Sequence, residues 1–138
     1  MSSGAAVNDR CVQEYQALKS EKKHRYVLFN LNADNTEIVV QKVSSSPEYD
    51  DFIADLPETE CRWAVYDFEF EKEGAGERSK LVFVSWLPDT AKVKQKMLFT
   101  ASKEELRRSL VGIAVEVDCS DSSEVAYDSL LDKVKRGH

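Results

Sequence analysis

Lys92, Lys94 and Lys96 alternate with Val93 and Gln95 immediately ahead of Met97. On a helix, this spacing borders an apolar strip of Val93 and Met97 with ammonium groups. That is the chemistry of a non-covalent contact with an acidic partner. Two further charged groups, Arg78-Ser79-Lys80 and Asp132-Lys133-Val134-Lys135-Arg136, read as solvated surface when each is taken alone. Groups suited to making and breaking bonds are scarce. The chain contains no GxxxxGK(S/T), GxGxxG, GxSxG or HExxH pattern. Its 5 glycines leave little from which to build a phosphate-cradling loop. The acidic pairs Asp50/Asp51 and Glu104/Glu105 are sequence neighbours that point to different sides of a helix, which suits dipole complementation better than acid–base work. No catalytic residue and no cofactor is expected. Cys11, Cys61 and Cys119 are widely spaced without a CxxC pair and read as reduced, partly buried thiols. His24 and His138 have no companions at ligand spacing, so no metal site is expected.

The bulk properties narrow the class further. A chain of 138 residues can bury a core without metal or disulfide staples. With 42% hydrophobic and 32% charged residues it has the make-up of a folded globule rather than a disordered segment. It carries neither a run of about 18 apolar residues nor a signal-like start, so no membrane insertion is expected and the cytosol or nucleus is the expected location. The net charge of −6 disfavours nucleic acid as a partner. The charge is segregated, however. Acidic residues crowd Glu48 to Glu77, while basic ones gather in Lys19–Arg25, Lys92–Arg108 and Lys133–Arg136. Basic islands that met on one surface would steer it toward an acidic partner.

These side chains must be positioned by elements the pattern makes legible. Asn8 reads as the N-cap of a first helix whose apolar face is Cys11, Val12, Tyr15 and Leu18. Residues 1–6 read as a flexible tail. Tyr26–Leu31 and Glu37–Val43 read as a hairpin, and Ser46-Pro47 as the start of a helix bearing Tyr49, Phe52, Ile53 and Leu56. Arg62–Phe70 reads as a strand covered on both sides near Trp63–Tyr66, and Glu71–Ser79 as a turn into the strand Lys80–Trp86. Over Thr90–Val111, helical spacing gives two stripes. Val93, Met97 and Ala101 lie on one side, and Phe99, Leu106 and Leu110 roughly opposite. Ser102 and Glu105 form a capping signature between them. Either the helix kinks or restarts near Ser102, or one stripe faces outward. A strand at Ile113–Val117 and a helix from about Ser122, with Val125, Leu130, Leu131 and Val134, close the chain. Strands interleaved with helices argue for a mixed sheet covered on both faces.

The segments Asp55–Phe70 (DLPETECRWAVYDFEF), Arg78–Trp86 (RSKLVFVSW), Pro88–Ile113 (PDTAKVKQKMLFTASKEELRRSLVGI) and Ser123–Gly137 (SEVAYDSLLDKVKRG) together resemble the ADF/cofilin family, in order and over nearly the whole chain. The fold class the resemblance implies is α/β (α+β): a single ADF-homology domain at residues 7–136, with a central mixed, mostly antiparallel sheet sandwiched by helices and a long, kinked third helix. It implies a protein that binds actin monomers and filaments, ADP-actin preferentially, and that twists, severs and depolymerises filaments in the cytoplasmic actin cytoskeleton. A filament-decorating or branch-regulating member of the same fold, without severing activity, is the alternative.

Carried over residue by residue, the resemblance assigns Ser3, Gly4, Val7, Val93, Lys94, Lys96 and Met97 to a monomer-binding face. It assigns Arg78, Lys80, Asp132, Lys133 and Arg136 to a second face used only in filaments, and Ser3 to regulatory phosphorylation. The outward-facing alternative for Val93 and Met97 follows from it. It also implies competition by phosphoinositide headgroups at the basic helix, and a monomeric state. Three positions depart from the family's pattern. Leu87 stands for a common Ser, Lys92 for a frequent Pro, and Gln95 for a frequent Ser.

Overall fold

Trp63–Tyr66 and Leu81–Ser85 are apolar on both sides of the strand period, and such segments are stable only where a sheet is covered on both faces. The computed structural model places them there, and describes residues 5–74 and 76–136. In chain order these form β1 (Ala6–Val7), α1 (Asp9–Lys19), β2 (Tyr26–Leu31), β3 (Glu37–Ser44), α2 (Tyr49–Asp55), β4 (Arg62–Lys72), β5 (Gly76–Trp86), α3 (Val93–Ser109), β6 (Val115–Cys119), α4 (Ser122–Val125) and α5 (Tyr127–Arg136). The sheet order is β1-β3-β2-β4-β5-β6. The three inner pairings are antiparallel and the two outer ones parallel, the mixed, mostly antiparallel arrangement expected.

The strand period divides the core in two. Val27, Phe29, Trp63, Val65 and Phe83 meet Cys11, Tyr15 and Leu18 of α1 and Phe99 and Leu106 of α3 on one face. Tyr26, Leu28, Ala64, Tyr66, Phe68, Val82 and Val84 meet Phe52 of α2, Val125 of α4 and Leu130 and Val134 of α5 on the other. Asn8 caps α1 as expected, its side chain accepting the Arg10 N–H at 2.9 Å.

Several boundaries differ from the sequence reading, each for a physical reason. Of the expected tail, Ala5 is buried and Ala6 and Val7 pair in parallel with Glu37 and Ile38, so the sheet edge begins earlier. α2 begins at Tyr49 rather than Pro47, with Glu48 at the cap position and no side-chain cap bond; the Ser46 hydroxyl lies ahead of the helix, accepting the Glu48 N–H and donating to Asp51. The expected turn at Glu71–Ser79 shrinks to its glycine-containing tip, where Gly74 and Gly76 have φ of +79° and +76°. The residues on either side pair in register from Lys72↔Gly76 to Arg62↔Trp86, and Arg78 and Lys80 therefore sit on a strand. β6 lies two residues later than Ile113–Val117, in parallel register with β5. The final helix is divided at Ala126, whose extended ψ of 150° ends α4. A straight helix would set Val125 and Leu130 about 140° apart, and the break lets both be fully buried.

α3 runs unbroken from Val93 to Ser109, so the restart at Ser102 does not occur. Ser102 is buried within the helix, and its Oγ accepts the backbone N–H of Ala5 at 3.0 Å. It caps the N-terminal segment rather than its own helix.

Candidate functional site

With Phe99, Leu106 and Leu110 turned into the sheet, helical geometry sends Val93 and Met97 outward. Val93 is 71% exposed and Met97 66%, against 1% for Phe99 and 0% for Leu106. Lying one helical turn apart, Val93 and Met97 form a contiguous apolar patch rather than scattered exposed residues, and such patches mark interaction sites.

The strip is held rigidly. Phe99 packs on Trp63 with ring centroids 4.2 Å apart. Lys103 pairs with Asp118 at 2.9 Å and Arg107 with Glu116 at 3.5 Å, tying the far half of α3 to β6. At the near end, Gln95 Oε1 accepts the Cys61 N–H at 2.9 Å. This bond joins α3 to the start of β4, and a serine at position 95 would be too short to make it. Gln95→Ala is expected to cost about 1–2 kcal/mol by stranding a partly buried N–H, and amide hydrogen exchange at Cys61 measures it directly.

The N-terminus of α3 is electrostatically unfinished. Lys92 occupies the cap position with no side-chain cap bond, and the first turn carries no acidic residue. α1 and α4, by contrast, are capped by Asn8 and Asp121. Three lysines therefore crowd the positive end of a helix dipole, an arrangement the chain alone does not favour and an anionic surface would. Lys94 is exposed and, among the described residues, has no hydrogen-bond or ion-pair partner. Lys96 is half-buried, with Nζ donating to the Asp89 carbonyl at 3.1 Å, so its charge lies closer to the protein than the sequence spacing suggests.

Of the remaining residues assigned to this face, Val7 is half-buried on β1, and the segment containing it is led across α3 by the Ala5–Ser102 hydrogen bond. Ser3 and Gly4, together with the phosphorylation assigned to Ser3, lie outside the described residues.

The second set of residues comes together around β5 and α5. Arg78, Asp132, Lys133 and Arg136 are exposed, and Asp132 and Arg136 pair across one helical turn. Lys80 is half-buried, and its Nζ donates to the Val134 carbonyl at 2.9 Å. It thus fixes α5 to β5 as well as contributing charge. Beside it runs a groove of about 690 Å³ lined by Phe70, Lys72, Arg78, Lys80 and Lys135 among others. Lys72 was not legible as part of this surface, because in the sequence it stands inside an acidic run.

The three cysteines are buried and free. Burial pushes the thiols of Cys11 and Cys61 up to about 11 and that of Cys119 up to about 12, so they stay protonated near neutral pH and are poor nucleophiles. No helix among the described residues is long and apolar enough to cross a membrane.

Comparison with known proteins adds a consistent set of relatives. The model of the family described as cofilin/tropomyosin-type actin-binding protein matches residues 4–135. The cofilin of Mycosarcoma maydis is 56% identical over 136 residues, covering 99% of this chain and 98% of that protein. Actophorin of Acanthamoeba castellanii is 44% identical over 135 residues, covering 97% of each. Among solved structures, the crystal structure of Streptomyces griseoflavus cofilin superposes with a TM-score of 0.93 at 59% identity, covering 98% of this chain and all of that one.

Proposed function

The chain belongs to the cofilin/tropomyosin-type family of actin-binding proteins, and from that premise we propose that it binds actin monomers and filaments, prefers ADP-bound subunits, and twists, severs and depolymerises filaments. It is an actin-binding regulator of the cytoskeleton, not an enzyme, and works in the cytoplasm. The observation that carries the finer reading is the solvent-facing Val93/Met97 strip at an uncapped, lysine-rich helix end. An apolar centre with a charged rim is the anatomy of a protein interface, here aimed at an acidic cleft. Val7, Lys94 and Lys96, together with Ser3 and Gly4, would complete that contact. Arg78, Lys80, Asp132, Lys133 and Arg136 would meet the neighbouring subunit in a filament.

Severing then needs no bond chemistry. A wedge that binds a twisted filament better than a straight one shifts the filament toward the twisted form by its differential affinity. Boundaries between twisted and bare stretches are the weak points. A phosphate on Ser3 would add about −1.5 to −2 charges facing an acidic surface and oppose binding. Phosphoinositide headgroups would compete for the lysines of α3 by the same attraction. The protein would act as a monomer, in the cytoplasm and in the nucleus if it enters there.

Pelleting of filaments combined with filament imaging tests this reading. The expected result is actin released to the supernatant and filaments broken along their length. Co-sedimentation without shortening would place the protein with filament-decorating relatives of the same fold. Fluorescence titration against ADP-actin and ATP-actin monomers checks the nucleotide preference, with tighter binding to the former expected.

Arg78→Ala with Lys133→Ala is expected to reduce filament binding selectively, leaving monomer affinity and the melting temperature almost unchanged, because both side chains are exposed. Lys80→Ala is expected to lower the melting temperature as well, because it releases the Val134 carbonyl. Equal loss of monomer affinity in the exposed pair would count against two separate faces.

A further inference from the structure

Besides the lysine-rich strip and the β5–α5 surface, the described residues form further concave features, and one of them combines an apolar floor with an acidic rim. A groove of about 360 Å³ lies where the end of α2, the end of β5, the loop into α3 and the start of α4 meet. Its floor is apolar, formed by Ile53, Trp86, Pro88 and Val125. The volume falls within the range of about 300–1,000 Å³ typical of ligand sites. Its rim carries three carboxylates, Glu58, Asp89 and Asp121, each from a different segment, and no lysine, arginine or histidine lines it.

Two of the three acids are uncompensated. Among the described residues neither the Glu58 nor the Asp89 carboxylate has an ion-pair partner. Lys96 reaches this loop only at the Asp89 carbonyl. Hydrogen bonds from the Ser123 hydroxyl and the Glu124 N–H hold the Asp121 carboxyl below its usual range, which keeps it ionised.

The walls are preformed. The Trp86 indole N–H donates to the Pro57 carbonyl at 2.6 Å, and the Thr90 hydroxyl to the Glu58 carbonyl at 2.7 Å. The Asp89 N–H donates to the Ser120 carbonyl at 3.1 Å and the Leu87 N–H to the Cys119 carbonyl at 2.9 Å. A site held this way loses little conformational entropy when filled.

We propose that this groove docks a short segment of a partner protein, one large apolar side chain flanked by lysine or arginine. Charge complementarity selects that occupant. The apolar floor takes the anchor, and acids on separate segments of the rim meet cations on either side of it. The α3 strip has the opposite sign and asks for an acidic partner, so the groove serves a second kind of contact next to the first. The proposal stands or falls independently of filament severing, because its test contains no actin.

The test is a ¹H–¹⁵N NMR titration of the full chain with two synthetic hexapeptides, each with a central Leu-Trp pair, one flanked by arginines and the other by glutamates. The arginine peptide is expected to bind saturably and to move the Trp86 indole N–H and the amides of Ile53, Thr90 and Val125, while the glutamate peptide leaves them in place. Glu58→Gln with Asp89→Asn is expected to weaken binding by about tenfold or more without altering the rest of the spectrum. Glu71→Gln with Glu73→Gln, an equal charge change at the tip of the β4–β5 hairpin, is expected to leave it unchanged. No saturable shifts, shifts elsewhere, equal binding of both peptides, or equal weakening by the two double variants would each overturn the proposal.

Discussion

Replacing Lys94 and Lys96 together by alanine is expected to weaken binding to both monomeric and filamentous actin by about 100-fold or more while leaving the melting temperature nearly unchanged. The argument is electrostatic. Both ammonium groups sit at the positive end of α3, where no side chain caps the helix and no acid offsets the dipole. Removing them relieves repulsion within the chain and removes attraction to an acidic surface, so stability and affinity move independently. Lys94 carries the larger share of the expected loss, because it has no partner among the described residues, whereas Lys96 also holds the Asp89 carbonyl. Monomer titration and pelleting measure affinity, and thermal denaturation measures stability. A large drop in melting temperature with unchanged affinity would show that the lysines serve the fold instead.

The second large effect is on stability. Phe99→Ala is expected to cost about 3–5 kcal/mol. Phe99 is 1% exposed and packs on Trp63 with ring centroids 4.2 Å apart, so its removal leaves a cavity between α3 and the centre of the sheet. Lys103, Arg107 and Gln95 hold α3 at other points and prevent the helix from collapsing into the gap. Urea denaturation measures the loss. Met97→Ala on the opposite face, at 66% exposure, is expected to leave stability within a few tenths of a kcal/mol while weakening actin binding. The contrast between two apolar residues two positions apart separates the buried stripe from the presented one.

Much of this was legible from local pattern. Helical spacing in Pro88–Ile113 announced two opposed apolar stripes, and the β-branched and aromatic runs located the central strands. The Asn8 cap stands where its side-chain chemistry put it. Less legible were features that depend on distant segments meeting. Ser102 and Glu105 satisfied a local capping rule, yet Ser102 serves the backbone of Ala5, 97 residues away. Arg78 looked like a turn residue until pairing with Phe70 extended the strand. The break at Ala126 answers to the need to bury Val125 and Leu130 against one sheet, which no local rule encodes.

By itself the sequence determined the order of the larger elements, the covering of the sheet on both faces and the residue types of the lysine-edged strip, though neither β1 nor the division of the last helix, because periodicity and capping act over a few neighbouring residues. Its periodicity left open which stripe of α3 faces solvent, and only the family resemblance pointed to the one bearing Val93 and Met97. Only the tertiary structure decided that, since one sheet face can accept one side of a continuous helix, and Trp63 and Leu18 with their neighbours accept the side bearing Phe99 and Leu106. The partnering of Lys80 and Lys96 with distant carbonyls, and the gathering of three carboxylates around the Trp86 groove, were settled in the same way, by segments brought together only through folding.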